Sequence, residues 1–486
     1  MADQSRAGIK AEFTFGKGKR PARPASGGTA FRMLVLADFG GHAARGEVRP
    51  GGGLAPQRVD LDTLPSVLHR IAPRIPIALG SEPAFTIAIE DMEDFHPDHL
   101  FARLPLFAPM RELRRQLGDA KTFARAAALL GKASEPAEAT TAPPAAPTDD
   151  ELVRLLGRPA SAAPVASGPV ATVESMVRQA VAPYIVGKPD PRQAELIAAV
   201  DGMCGELLRA VLHDAGFQRV EAAWRGLERL VRTLELDESL QIFVLDASSE
   251  ELLADFAAAP DLADSAMYHI LVDHTSDTPW SLLVSGNPCG RQQEDAALLA
   301  RLGTLAQSVE AAVVAGMDSK VWSAGSPSLE DQRACQALRS SPAATAIAIG
   351  CPGFLLRLPY GKATDPIEGF AFNEQTSPPL AERYLWGSAA FALAELLART
   401  YAAAGGWDFS PGDVSSVTDL PIHVFTQDGE STETPVAQVW MPESKIDELI
   451  KEGLVPLVSV RGRGEARVPR IQSIASPPAA LAGRWR

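Results

Sequence analysis

An α/β chain, in which a small αβ domain is joined by a low-complexity linker to a larger mixed αβ domain, is what the sequence predicts. Three observations carry this. Short apolar runs that read as buried strands, Met33-Leu34-Val35-Leu36-Ala37 and Leu240-Gln241-Ile242-Phe243-Val244-Leu245, alternate with segments of helical period. In the clearest of these, Phe217 to Leu227, the residues Val220, Trp224 and Leu227 fall at i, i+4 and i+7. One apolar stripe then faces a core, with Trp224 inside it, while Arg219, Glu221 and Arg225 are assigned to water. Between Lys132 and Val170 the composition turns to Ala, Pro, Glu, Thr and Ser, which cannot bury enough apolar surface to order itself. The chain therefore divides into a basic arm (1–30), a small αβ domain (31–131), a linker (132–170), a large αβ domain (171–475) and a tail (476–486).

The elements follow in order. Lys10, Lys17, Lys19, Arg20 and Arg23 lie among Gly, Pro and Ser, giving the arm its charge. The strand at Met33–Ala37 is closed by the glycine turn Asp38-Phe39-Gly40-Gly41. Asp60 to Ile71 reads as a helix, and Phe85, Ile87 and Ile89 alternate with Thr86, Ala88 and Glu90 as a half-buried strand. Asp91 to Asp98 is an acidic turn in which Pro97 opens a helix running towards Leu130, with Leu100, Leu104, Leu106 and Leu113 among its apolar positions. The linker has room for one helical turn around Leu152 to Leu156. Helical segments fill Val173 to Leu236, and after the strand at Leu240 the sequence Asp246-Ala247-Ser248-Ser249-Glu250 starts a helix with Ser caps and acidic residues suited to its dipole. A strand from Tyr268 to Val272 and a helix from Glu294 to Val314 come next. Trp386, Phe391 and Leu393 precede an Ala-rich helix reaching Ala404 and read as core. Arg357, between apolar neighbours and near a proline, is expected to send its guanidinium to a carboxylate or to backbone carbonyls.

Composition excludes several functions. At 486 residues and 46% hydrophobic, the chain has material for real cores. A net charge of -14 argues against nucleic acid as a partner, because phosphate binding needs a basic face. No signal-like run opens the chain and no apolar run of about 18 residues occurs, so no membrane association and a cytoplasmic location are expected. Cys204, Cys289, Cys335 and Cys351 are far apart and read as reduced packing residues. Gly361-Lys362-Ala363-Thr364 and Gly131-Lys132 lack phosphate-loop spacing, and neither H-E-x-x-H nor G-x-S-x-G occurs. His96 and His99 beside Asp94 and Asp98 read as an exposed polar turn in preference to a metal site, and Asp273 with His274 has no nucleophile partner. Arg461-Gly462-Arg463-Gly464 reads as a solvated loop. No catalytic residue, cofactor or metal is therefore expected, and the chain is not expected to be an enzyme.

Several motifs are more specific than these patterns. Phe217-Gln218-Arg219-Val220-Glu221-Ala222-Ala223-Trp224-Arg225-Gly226-Leu227 resembles the FQ-x-LE-x-x-WRGL motif of the large contractile sheath subunit (TssC, or ImpC) of type VI secretion systems. Phe354-Leu355-Leu356-Arg357-Leu358-Pro359-Tyr360-Gly361 is similar to that subunit's FLLRLPYG segment, Phe370-Ala371-Phe372-Asn373-Glu374 to its F-x-F-x-E, and Tyr384-Leu385-Trp386-Gly387 with the following residues to its YLWGNAAFALA. Asp419-Leu420-Pro421, Thr434-Pro435-Val436 and Gly453-Leu454-Val455-Pro456-Leu457 continue the series in order. Leu36-Ala37-Asp38-Phe39-Gly40-Gly41 and Glu93-Asp94-Phe95-His96-Pro97-Asp98 resemble the opening and the D-D-F-x-P-[DE] turn of the small subunit (TssB, or ImpB).

The resemblance implies a structural protein: a fusion of small and large sheath subunits that forms a contractile tube around an inner tube. Its implied partners are copies of itself or other sheath subunits, the inner tube, the baseplate and an AAA+ ATPase that recycles the contracted form. The residues it marks for structure and assembly are Asp38, Gly41, Asp94, Phe95, Pro97, Phe217, Trp224, Arg225, Gly226, Arg357, Pro359, Tyr360 and Trp386. The large-subunit part stops soon after Ile471, where the family continues with a helical interlocking region, and the wording between Tyr268 and Ser340 departs from the family. A second reading is therefore a non-polymerising adaptor, built on the same core, that docks on the baseplate or a tube end.

Overall fold

The computed structural model describes residues 30–49, 51–79, 84–133, 190–273, 278–318, 321, 327–412 and 415–485. The basic residues of the arm, the linker with its helical turn at Leu152–Leu156, the helical reading of 173–189 and His274 lie outside the described residues. The architecture is mixed α/β, as the sequence predicts, with a smaller N-terminal and a larger C-terminal part. Two compact units emerge, residues 1–101 with 208–486 and residues 102–207. These cut the chain differently from the composition-based boundaries at 131 and 171, because the first strand is built into the sheet of the larger part.

In chain order the first unit begins with β1 (Phe31–Ala37), α1 (His42–Arg45), β2 (Gln57–Val59), α2 (Leu64–Ile71), the antiparallel pair β3 (Arg74–Ile77) and β4 (Phe85–Ala88), and α3 (Pro97–Arg103). The helix read from Asp60 starts only at Leu64, because Asp60 and Thr63 exchange backbone-to-side-chain hydrogen bonds of 2.9 Å that hold a turn before it. The single helix towards Leu130 is broken. Leu104, preceding Pro105, is extended as proline demands of its neighbour, and the chain restarts as α4 (Ala108–Gly118) and α5 (Phe123–Ala133). With the first part of α6 (Gln193–Leu212) these make the second unit, where Arg114 Nε donates to Asp201 Oδ1 at 2.6 Å and Gln193 Nε2 to the Leu117 carbonyl.

The chain then continues through α7 (Ala215–Thr233), β5 (Leu240–Asp246), α8 (Ser249–Ala258), α9 (Ala266–Leu271), β6 (Leu282–Cys289), α10 (Gln293–Ser308), β7 (Ala312–Met317), α11 (Leu329–Ser340) and β8 (Ile347–Cys351). Tyr268–Val272 is helical and not a strand: Ser265 Oγ accepts from Tyr268 N, and the Asp255 carboxylate accepts from Ala266 N and Met267 N, which caps α9. The helix expected to reach Val314 ends at Ser308. Glu310 turns through a positive φ of 58°, and the β-branched Val313 and Val314 enter β7 instead. Strand β6 is not foreseen in the sequence, because Ser285-Gly286-Asn287-Pro288 interrupts its apolar run; the register shift against β7 falls at that point. Beyond β8 come β9 (Phe354–Leu355), β10 (Trp386–Gly387), α12 (Ala389–Ala404), β11 (Ser415–Val417), β12 (Val424–Gln427), β13 (Glu430–Glu433), α13 (Glu443–Lys451), β14 (Val455–Pro456), β15 (Val458–Ser459) and β16 (Ala466–Val468).

One seven-stranded sheet dominates, in the order β14-β8-β7-β6-β1-β5-β2, parallel except for β2. β1 pairs along its whole length with β5, from Phe31 with Leu240 to Ala37 with Asp246, and on its other edge with β6. A strand buried on both faces and both edges is apolar, which is why Met33–Ala37 shows no alternation after the partly buried Arg32 at its start. On one face, Leu34, Leu36, Leu245, Leu283, Val313 and Ile347 pack with Leu252, Phe256, Met267, Leu299, Leu338 and Leu449 of the covering helices. α7 and α12 cover the other face, and they meet where a Cβ on Gly226 would stand 2.7 Å from the Phe391 ring. All four cysteines are free thiols. Burial pushes Cys204 up to about 11 and Cys351 up to about 12.

Gly226→Ala should lose about 1–3 kcal/mol, since Phe391 must leave its rotamer to admit a methyl group. Urea unfolding followed by tryptophan fluorescence measures this, and a loss below about 0.5 kcal/mol would show that the contact is slack. Residues 190–485 produced without β1 leave a slot between β5 and β6. They should stay insoluble alone and be recovered folded only when residues 30–133 are produced with them; a folded monomer of 190–485 alone would contradict the shared sheet.

Candidate functional site

The signature helix α7 starts where Asp214 Oδ1 accepts from Gly216 N and Phe217 N, at 2.9 and 3.0 Å. Its stripe buries Phe217, Val220, Trp224 and Leu227. Trp224 donates from Nε1 to the Phe39 carbonyl at 3.0 Å and stands edge-on to the Phe39 ring, so the Asp38-Phe39-Gly40-Gly41 turn is pinned to α7. Phe217 meets Phe95 edge-on at 5.7 Å. Arg219 is exposed, but the assignment of Glu221 and Arg225 to water is wrong: Glu221 is 0% exposed and Arg225 is largely covered. The reason is a charged network that periodicity cannot show.

Arg357 is its centre. Its Nε donates to Glu221 Oε1 at 2.8 Å and its Nη1 to Glu374 Oε2 at 2.7 Å, with Leu358 O as a further acceptor. Both the carboxylate and the backbone partners expected from the sequence are present. Arg225 shares Glu221 through Nε at 2.7 Å and reaches Tyr360 Oη at 3.1 Å. Tyr360 N donates to Glu374 Oε2 at 2.8 Å, and the Tyr360 ring lies under the Arg357 guanidinium, 4.2 Å away. Two guanidiniums thus face two buried carboxylates. Burial by itself would lower Arg357, but Glu221 and Glu374 reverse this and hold it well above its ordinary value. Burial likewise pushes Glu374 upwards, yet Arg357, with His213 nearby at 3.6 Å and the hydrogen bond from Tyr360 N, brings it down to about 2. Desolvation carries Tyr360 up to about 12.

The remaining marked residues are placed locally. Asp38 accepts from His42 N and Ala43 N and so caps α1, while Gly41 supplies the left-handed φ of 76° before it. Asp94 accepts from Glu90 N and Asp91 N, and Pro97 opens α3. Asp98 accepts from Glu368 N and Gly369 N, tying the acidic turn to the segment before Phe370. The carboxylates beside His96 and His99 are thus engaged by backbone N–H groups, and His96 sets its ring edge against Tyr360 at 4.9 Å. Pro359 is buried; Trp386 is half-buried and donates to the Ala381 carbonyl. Arg461 lies over the Trp440 ring in an exposed turn, where Gly462 N donates to Glu433. The structure gathers Glu221, Arg225, Arg357, Tyr360 and Glu374 into one cluster. Gly41, Asp94 and Trp386 lie outside it. Sequence reasoning missed His213, Arg229 with Glu395, and the meeting of the marked Asp38 and its neighbours His42 and Arg49 with Asp246 and Glu251, which lie about two hundred residues further along the chain.

Residues 194–475, more than half of the chain, match the family described as EvpB/VC_A0108, tail sheath N-terminal domain. Residues 28–132 match the family described as type VI secretion system, VipA, VC_A0107 or Hcp2. The chain is 30% identical over 304 residues to the type VI secretion system sheath protein TssC1 of Pseudomonas aeruginosa strain PAO1, a match covering 58% of this chain and 61% of that relative. It thus spans about three fifths of the relative's length.

Glu374→Gln leaves Arg357 short of a charge partner and should cost about 3 kcal/mol at pH 7. Because the folded value of Glu374, about 2, lies below the ordinary 4.5, its stabilisation is complete above 4.5 and declines as the pH falls towards 2. The variant should therefore show a shallower loss of stability than the parent in urea unfolding across that window; equal slopes would remove Glu374 as a contributor.

Proposed function

Because the chain belongs to the tail sheath family of type VI secretion systems, we propose that it is a fused sheath protomer, its small-subunit and large-subunit segments joined in one chain that assembles around an inner tube in the cytoplasm. The observation that carries this reading is the position of β1, a strand from the segment matching one sheath family, in the middle of the sheet formed by the segment matching the other. Two subunits interleaved in this way are needed in equal number, and a single chain fixes that ratio while raising their effective concentration. Residues 31–131 and 171–475 are then the two functional modules.

In such an assembly the work comes from a lattice that relaxes from an extended to a contracted arrangement, a two-state change repeated in every protomer, with no catalytic step in the protomer itself. The marked residues serve it from inside. Trp224 and Arg357 fix the shape of a rigid block, so that movement is confined to contacts between protomers. Copies of the same chain or other sheath subunits, the inner tube, the baseplate and an AAA+ recycling ATPase are its proposed partners.

Negative-stain microscopy of the purified protein, with the other parts of its system present, should show helical tubes of regular diameter. Dispersed particles under every such condition would overturn the polymerising reading.

A further inference from the structure

The sheet reverses its direction of growth at β1. From β1 the chain passes through α7 on one face to reach β5 on one side, whereas β5, β6, β7 and β8 succeed one another in the opposite direction with α8, α10 and α11 on the other face. The carboxyl ends of strands at such a reversal bound the crevice where open α/β sheets take ligands. Here Asp38 N donates to Asn287 Oδ1 and Asn287 Nδ2 to the Ala247 carbonyl, both at 2.9 Å, which stitches the ends of β1, β6 and β5 together. A crevice of about 750 Å³ opens beside them, lined by Asp38, Ser248, Asn287 and Asp295 among others.

At that point His42 is only 5% exposed. Its Nε2 stands 3.5 Å from Asp246 Oδ2, and its Nδ1 stands 3.4 Å from Asp38 Oδ1 and from Glu251 Oε2, with no hydrogen-bond partner of its own. One ligand atom each from Asp38, His42 and Asp246 lies within 4.8 Å of the other two. A cation with bonds of about 2.0–2.2 Å holds tetrahedral ligands about 3.4 Å apart, so the three ligand atoms, now within 4.8 Å of one another, draw together by up to about 1.4 Å around it. Asp38, Asp246 and Glu251 against Arg49 leave two formal negative charges before His42 is counted. Gly40 keeps the space, for a Cβ there would stand 2.5 Å from His42 Nε2 and 3.0 Å from Asp246 Oδ2.

We propose that Asp38, His42 and Asp246 form a binding site for a divalent transition cation, Zn²⁺ before Mn²⁺, at the carboxyl ends of β1 and β5. Imidazole with carboxylates selects such ions over Mg²⁺. The ion would clamp the turn after β1 to the start of α8 and so lock the two segments together. The site stands independently of the assembly reading.

The test is isothermal titration calorimetry of the full chain, stripped with chelator, against Zn²⁺, Mn²⁺ and Mg²⁺. One Zn²⁺ per chain is expected, weakened roughly tenfold or more in His42→Asn and in Asp246→Asn but unchanged in His269→Asn, whose histidine is exposed. Since a variant can fail to fold, X-ray absorption of the Zn²⁺-loaded parent gives a second readout, expected to show one imidazole nitrogen among oxygens. No saturable binding, affinity unchanged in both folded variants, or a sulfur-bound ion would each overturn the proposal.

Discussion

Seven residues, Phe31 to Ala37, carry the main constraint on this molecule. They occupy the slot between β5 and β6, so removing them divides the principal sheet and leaves two rows of backbone N–H and C=O groups unpaired in the interior. Each such group costs about 1–3 kcal/mol when buried without a partner, enough in sum to exceed the stability of a typical domain. Further joins between the N-terminal segment and the rest of the first unit stand around this strand, from the pairing of β2 with β5 to the hold of Asp98 on Glu368 N and Gly369 N. Phe39 meets Trp224 one turn beyond its end, and Asp38 sits beside Asn287 and Ala247.

The network around Arg357 works differently. Burying two guanidiniums and two carboxylates is expensive, and their mutual attraction does little more than offset the desolvation; an apolar cluster of the same volume could be as stable. What the ions add is specificity. Arg357 accepts only an arrangement that brings Glu221 from α7 and Glu374 from the loop before β10 to opposite sides of its planar fork. Tyr360, with its ring under Arg357 and its N–H on Glu374, belongs to the same lock. These contacts favour one arrangement of α7, the Arg357 segment and the loop before β10 over slipped alternatives.

Strong local signals gave the elements they should. The Ser248 cap of α8, the Gly turn after β1, the strand at Leu240 and the stripe of α7 are all present, because each depends on neighbours within a few residues. The failures share a cause. Tyr268–Val272 has strand-forming residues but is helical through an Asp255 cap eleven residues back, and β6 keeps its polar end because Asn287 bonds to β1 and β5. Periodicity placed Glu221 and Arg225 in water, since an unpaired charge belongs there; their partner lies more than 130 residues further on.

By itself, then, the sequence determined the chemistry: an α/β chain with motifs of a sheath family, Trp224 destined for a core and Arg357 in need of a carboxylate. Tertiary structure decided which carboxylates Arg357 would find, that β1 would stand between β5 and β6, both of them about two hundred residues or more further along the chain, and that His42 would stand between Asp38, Asp246 and Glu251. The physical reason is range. Propensity, capping and periodicity act over a turn or two of chain, whereas sheet pairing and buried charge are satisfied only by groups that folding brings from far away.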